Sequence, residues 1–185
     1  MDSTLRKDDP NAISYGEAGR SQFRDGDVLC FRGRGPASWL IRRLTNSRYS
    51  HIGLSYRFEE RVYCLEAVGA GVRLVLMSEL MKRYHGGIDY YRVDAPEKVR
   101  RKAVSWGFTQ LGKLYDTAGI VRFAWTVLTG NARQARRDDD WFCSELVAAA
   151  FEESGLRLVD LEAGYTTPSD LVRSSALEKR FTLKP

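Results

Sequence analysis

Short apolar runs, broken by glycine, proline and charged turns, set the rhythm of the first hundred residues. In FRDGDVLCF the Asp25-Gly26-Asp27 turn leads into a strand over Val28 to Phe31. RGRGP reads as a loop, and Pro36 suits the first turn of a helix, PASWLIRRLTNS, with Trp39, Leu40 and Leu44 inward and Arg42 and Arg43 partly outward. SHIGLSYRFEERVYCLEAV carries two β-prone runs around a polar connection near Phe58 to Glu60, which predicts a hairpin. Gly69 and Gly71 break the pattern before a further strand, VRLVLM. Ser78 caps a short helix, SELMKRY, and GGIDYYRV returns to strand.

The second half changes period. Pro96-Glu97 opens EKVRRKAVSWGFTQLGK, whose Val99, Ala103, Trp106 and Gln110 or Leu111 fall near one helical face. TAGIVRFAWTVLTG is the most apolar segment, read either as a buried helix or as a helix lining a site for a greasy ligand. NARQARRDDD is a solvated linker. A helix follows from Cys143, then a short extended run and loop in GLRLVDLEAGYTTPSDLVRS, then a helical turn or two beyond Pro168, then a tail. Residues 1–22 are polar and read as a flexible arm, with one domain over residues 23–185. The order of strands and helices predicts an α+β domain, a small antiparallel sheet or barrel packed against helices.

Composition narrows the function classes. In 185 residues, 43% are apolar and only 5 are proline, the profile of an ordinary folded domain. The net charge of +5 comes from 29 basic and 24 acidic residues. The two signs are interleaved, and the aromatics form no stacking motif, so nucleic acid is not an expected partner. The opening MDSTLRKDDPNAISYGEAGR holds no apolar stretch, so neither a secretory signal nor a membrane span is read there. With three widely spaced cysteines, that suggests a reducing, cytoplasmic setting.

Candidate chemistry centres on DDDWFCSELVAAAF. With Asp139 or Asp140 as cap, Cys143 falls in the first helical turn, where unpaired N–H groups and the helix dipole favour a thiolate. Cys143 also shares a stripe with Leu146, Val147 and Ala150, so core filler is the competing reading. Cysteines at 30, 64 and 143 and histidines at 51 and 85 have no zinc-site spacing, so no metal or other cofactor is expected. A nucleophile needs a base, and the choice is His51 or His85. His85, in KRYHGGID, reads as a loop position, whereas His51 opens a strand. An imidazole base needs a group to hold its tautomer. Glu66 faces His51 directly if hairpin partners sum to 117; otherwise Glu66 lies in water on an edge strand. Trp39, Trp125 and the apolar run around it, beside Arg42, Arg43 and Arg48, read either as a receptor for an acyl chain with an anionic head or as core aromatics and solvated arginines.

Taken together, GDVLCFRGRG, WLIRRLTNSRYSHIGL, LEAVGAGV, GKLYD, WFCSELVAAAFEESG and YTTPSDL resemble the permuted papain-fold amidases of the YiiX and YaeF type, within the NlpC-like papain superfamily. The resemblance covers about residues 24–174. It implies a circularly permuted papain fold, with Cys143 as nucleophile, His51 as base, Glu66 orienting the ring, and Tyr165 beside the nucleophile near the substrate entrance. It further implies hydrolysis of an amide bond in a lipid- or peptide-linked substrate. The mechanism would serve an ester equally, and the Trp39 and arginine cluster adds contact with a lipid or membrane surface to the expected partners, beside a small acylated or peptide substrate. An acyltransferase using the same thioester, or a non-catalytic binding module of the same fold, are the alternatives.

Overall fold

The computed structural model describes residues 11–69, 71–84, 86–113, 143–161 and 166–184. Its strands are β1 (Ala12–Ser14), β2 (Val28–Arg32), β3 (His51–Phe58), β4 (Arg61–Val68), β5 (Gly71–Leu76), β6 (Gly87–Val93) and β7 (Leu177–Lys184). They form one sheet in the order β1-β7-β6-β2-β3-β4-β5. Only the β1–β7 pair is parallel. The sheet is therefore mixed and open, with β1 and β5 at its edges, so of the sheet or barrel expected it is the open sheet that forms, antiparallel but for the β1–β7 pair. The helices are α1 (Glu17–Arg20), α2 (Pro36–Leu44), α3 (Met77–Arg83), α4 (Glu97–Thr109), α5 (Cys143–Ser154) and α6 (Pro168–Val172).

Both faces of the central strands are covered, which is why VLCF and HIGL read as nearly unbroken apolar runs. On one face Val28, Ile52, Leu54 and Leu65 share a core with Ala103 of α4 and Leu146, Val147 and Phe151 of α5. On the other, Leu29, Phe31, Cys64 and Ile88 pack with Met77 and Leu80 of α3. α5 is buried nearly all round, Ser144 and Glu145 included. A helix enclosed in this way holds its first residue in a fixed position.

Four local features depart from expectation. Residues 12–20, assigned to a loose arm, form β1 and α1, and Tyr15 packs edge-on against Phe23. The tail after Val172 contains β7, an interior strand of the sheet. The charges in LEKRFTLK disguise it: Phe181 stacks on Tyr90 at 4.5 Å, while Lys179 and Thr182 reach the buried Asp89. In α2, Trp39 is 58% and Leu40 44% exposed, so the helix does not bury those residues as its pattern suggested. Ser78 does not cap α3, which begins one residue earlier with no side-chain cap.

Two turns fix the scaffold. Gly26 holds φ at +76°, and a Cβ there would meet the Arg100 carbonyl oxygen at 2.6 Å, so the DGD turn requires glycine. Asp27, fully buried, accepts hydrogen bonds from the Val93 N–H, the Arg24 guanidinium and the Tyr90 hydroxyl. At the other end, TTPSD closes a capping box in which Thr167 and Asp170 satisfy each other's backbone N–H groups. The Ser144 hydroxyl donates to the Thr166 carbonyl at 2.6 Å, tying the first turn of α5 to that segment.

Candidate active site

His51 is the first residue of β3 and Glu66 the sixth of β4. The hairpin pairs Leu54 with Leu65 and Ser55 with Cys64, so partners sum to 119 rather than 117. Glu66 therefore comes opposite Gly53, two residues along from His51. A slip of two keeps both side chains on one face, where a slip of one would have parted them. The diagonal is short enough for contact: His51 Nε2 lies 2.7 Å from Glu66 Oε2.

Gly53 makes room for this diagonal. A Cβ there would lie 2.6 Å from Cys64 Sγ, 2.9 Å from the Leu65 carbonyl oxygen and 3.3 Å from Glu66 Cβ. Gly53→Ala is expected to push Glu66 off the ring, with a loss of about 1–3 kcal/mol in stability from overpacking. Urea unfolding beside kcat/KM measures both, and unchanged values for each would contradict the geometry.

Glu66 is 2% exposed and is well supplied with donors. Arg73, its direct neighbour on β5, donates from Nε at 3.0 Å and Nη2 at 2.7 Å, both to Oε1. Cys64 Sγ stands 3.9 Å from Oε2. Burial pushes the carboxyl upward, but His51 and then Arg73 outweigh it and hold Glu66 below the usual carboxylate range.

With Nε2 engaged by Glu66, Nδ1 is the ring nitrogen left for a second partner. Cys143, the first residue of α5 and itself 7% exposed, is the further group that acts on the ring. Burial lowers the His51 pKa; hydrogen bonding and charge interaction with Cys143, and then with Glu66, overcome it and raise the group to about 10. A histidine raised in this way stabilises the fold below its unfolded value near 6.5, and that contribution is lost as pH rises through about 10. His51 and Glu66 are thus in contact, and Cys143 at the head of α5 acts on the His51 ring electrostatically.

A pocket of about 450 Å³ opens beside His51. Its apolar wall includes Phe31, Ile41, Val75 and Leu80, and its polar margin includes Arg73 and Arg83. From α2 it takes Ser38 and Ile41, whereas Trp39 and Arg42, expected to bind substrate, are not in the lining. Trp125, Tyr165 and His85, the capping aspartates 139 and 140, and the TAGIVRFAWTVLTG segment lie outside the described residues. Sequence reasoning missed Arg73: its place in GVRLVL looks like a solvent-side strand residue, and only the β4–β5 register puts it against Glu66.

A permuted order of histidine and glutamate on a hairpin, then cysteine at the head of a buried helix, defines a papain-like thiol hydrolase rearranged along the chain. The chain belongs to the permuted papain-like amidase family of the YaeF/YiiX type, C92, whose model matches residues 22–167. The chain is also similar in fold to the crystal structure described as metalloprotein yiiX from Escherichia coli O157:H7, with a TM-score of 0.66 and 22% identity over 85% of this chain and 96% of that one. No curated protein matches. Among the described residues no group of three or more histidine, cysteine or acidic side chains is placed to hold a metal ion. Among the same residues no helix is long and apolar enough to cross a membrane.

Proposed function

We propose that this amidase cleaves an amide bond in a lipid- or peptide-linked substrate, with Cys143 as nucleophile, His51 as proton carrier and Glu66 as the group that orients the ring. The observation that carries the assignment is the His51 ring shared between Glu66 and Cys143 at the head of α5. The sulfur attacks the carbonyl carbon, and the oxyanion is received by the backbone N–H of Cys143, one of the free donors of a helix start, with a second donor from neighbouring backbone or Tyr165. His51 then gives its proton to the nitrogen as the C–N bond breaks, leaving a thioester on Cys143. Water attacks the thioester carbonyl as its proton passes to His51, and the C–S bond then breaks, releasing the acid and returning the sulfur to Cys143.

The apolar pocket beside His51 supports an acyl chain on the carbonyl side of the bond. Trp39 and Leu40, exposed on the helix that supplies Ser38 and Ile41 to that pocket, put an apolar surface at its border and support approach from a lipid phase. Turnover of octanoyl amides, compared with short muropeptides, tests the substrate class. Faster cleavage of the octanoyl compounds is expected, and activity on muropeptides alone would overturn the lipid reading.

The charge balance at the site fixes a second expectation. Turnover should fall as pH rises through about 10, where His51 loses the proton destined for the leaving group. Glu66→Gln removes the negative charge that favours imidazolium, so this alkaline limb should move down by about 1–3 pH units. A pH–rate profile of the variant with the limb unmoved would contradict that role.

A further inference from the structure

Resting on that reading, we propose that Arg73 is a positioning residue of the reaction: its two-donor grip on Glu66 fixes the carboxylate that orients His51 and sets the charge the ring experiences. The geometry is specific. Nε and Nη2 both donate to Oε1, at 3.0 and 2.7 Å, which turns Oε2 toward His51 Nε2 at 2.7 Å. The contact is a direct cross-strand pair, so backbone register rather than a mobile loop holds it. The carboxylate is 2% exposed while the guanidinium side chain is 50% exposed. A buried anion thus has its cation at the pocket margin, which Arg73 itself helps to line.

An ordinary ion pair would explain the distance but not the arrangement around it. The groups that face Glu66 are His51 from β3, Cys64 from β4 and Arg73 from β5, with Cys143 of α5 beyond the ring and Tyr84, after α3, within electrostatic reach. Arg73 is the fixed positive charge among them. It leaves the Glu66–Arg73 pair near neutral overall, so the imidazolium is oriented by the carboxylate without being locked by its full charge. Removing Arg73 has two consequences of the same sign. Glu66 protonates at higher pH, and His51 keeps its proton to higher pH.

The test is a pH–rate profile with octanoyl p-nitroanilide for wild type, Arg73→Gln, Arg73→Lys and Cys143→Ala. Arg73→Gln should move both limbs upward by about 1–3 pH units, opposite to the downward alkaline shift of Glu66→Gln. A merely structural arginine would lower stability and leave the limbs in place, and limbs at wild-type positions would overturn the proposal. Arg73→Lys keeps the charge but not the planar two-donor fork. It should hold the limbs near wild type and lose kcat several-fold with KM unchanged; unaltered kcat would likewise overturn the proposal, even if the glutamine variant fails to fold. An inactive Cys143→Ala beside unmoved Arg73→Gln limbs removes the role of Arg73 alone. An active Cys143→Ala removes the thiol mechanism and Arg73's place in it together.

Discussion

Cys143→Ala and His51→Ala are each expected to lower kcat/KM by roughly 10⁴-fold or more, about 5.5 kcal/mol of transition-state stabilisation, with the fold retained. The size follows from division of labour: without sulfur no thioester forms, and without the ring no proton reaches the leaving nitrogen. The double variant should be little worse than either single one, because the two side chains act as a unit. Retention of the fold is expected for different reasons at the two positions. Cys143 to alanine removes one sulfur at the first turn of a helix otherwise anchored by Leu146, Val147 and Phe151. His51 sits at a strand end beside a pocket, its ring tilted against Phe31 at 5.0 Å. Circular dichroism beside turnover of an octanoyl amide checks both, and an active, folded Cys143→Ala protein would contradict the mechanism.

Asp89→Ala should produce the largest loss of stability, about 3–5 kcal/mol. Asp89 is fully buried in β6 between β2 and β7. Oδ1 accepts from Thr182 Oγ1 at 2.7 Å and from Arg32 Nη2 at 3.1 Å, with Lys179 Nζ at 3.3 Å. Oδ2 accepts from the Tyr49 hydroxyl at 2.7 Å, which also meets the Tyr91 hydroxyl at 2.8 Å. Burial and the Asp89 charge push the Tyr49 phenol far above its ordinary range, so it remains a donor. Truncation would leave cations and hydroxyls facing an empty space, which is costlier than losing the bonds themselves. For a chain of this length the melting temperature should drop by about 6–20 °C. Tyr49 lies two residues before His51, so activity at low temperature should fall as well. Calorimetry of Asp89→Ala showing a wild-type melting temperature would contradict this account.

Much of the site could be read before the fold was known, because its parts carry local signals. Cys143 opens an apolar helical stripe, and His51 begins a β-branched and apolar run after a polar loop. Glu66 stands as an acidic residue in an otherwise apolar strand, a costly arrangement without a partner. Their meeting depended on register, which the sequence left open. The hairpin solves it by a diagonal made passable by Gly53, where a direct pair was one of the arrangements left open. Arg73 and Asp89 were not legible. The first becomes significant only through its neighbour across β5, and the second through cations contributed by β2 and β7. β7 itself was missed because Lys179 and Arg180 looked like tail residues. One of them is neutralised inside the sheet and the other pairs with Glu178 at its surface.

The most direct measurement is the rate of Cys143 alkylation by iodoacetamide against pH, located by peptide mapping, in wild type and His51→Ala. Cys30 and Cys64 are fully buried, and burial pushes both thiols well up, so label should collect at residue 143. A sulfur activated by His51 should react faster in wild type than in His51→Ala through the neutral range, an advantage lost when the ring is removed. Identical curves for the two proteins, both rising only above pH 8, would show that His51 does not activate Cys143.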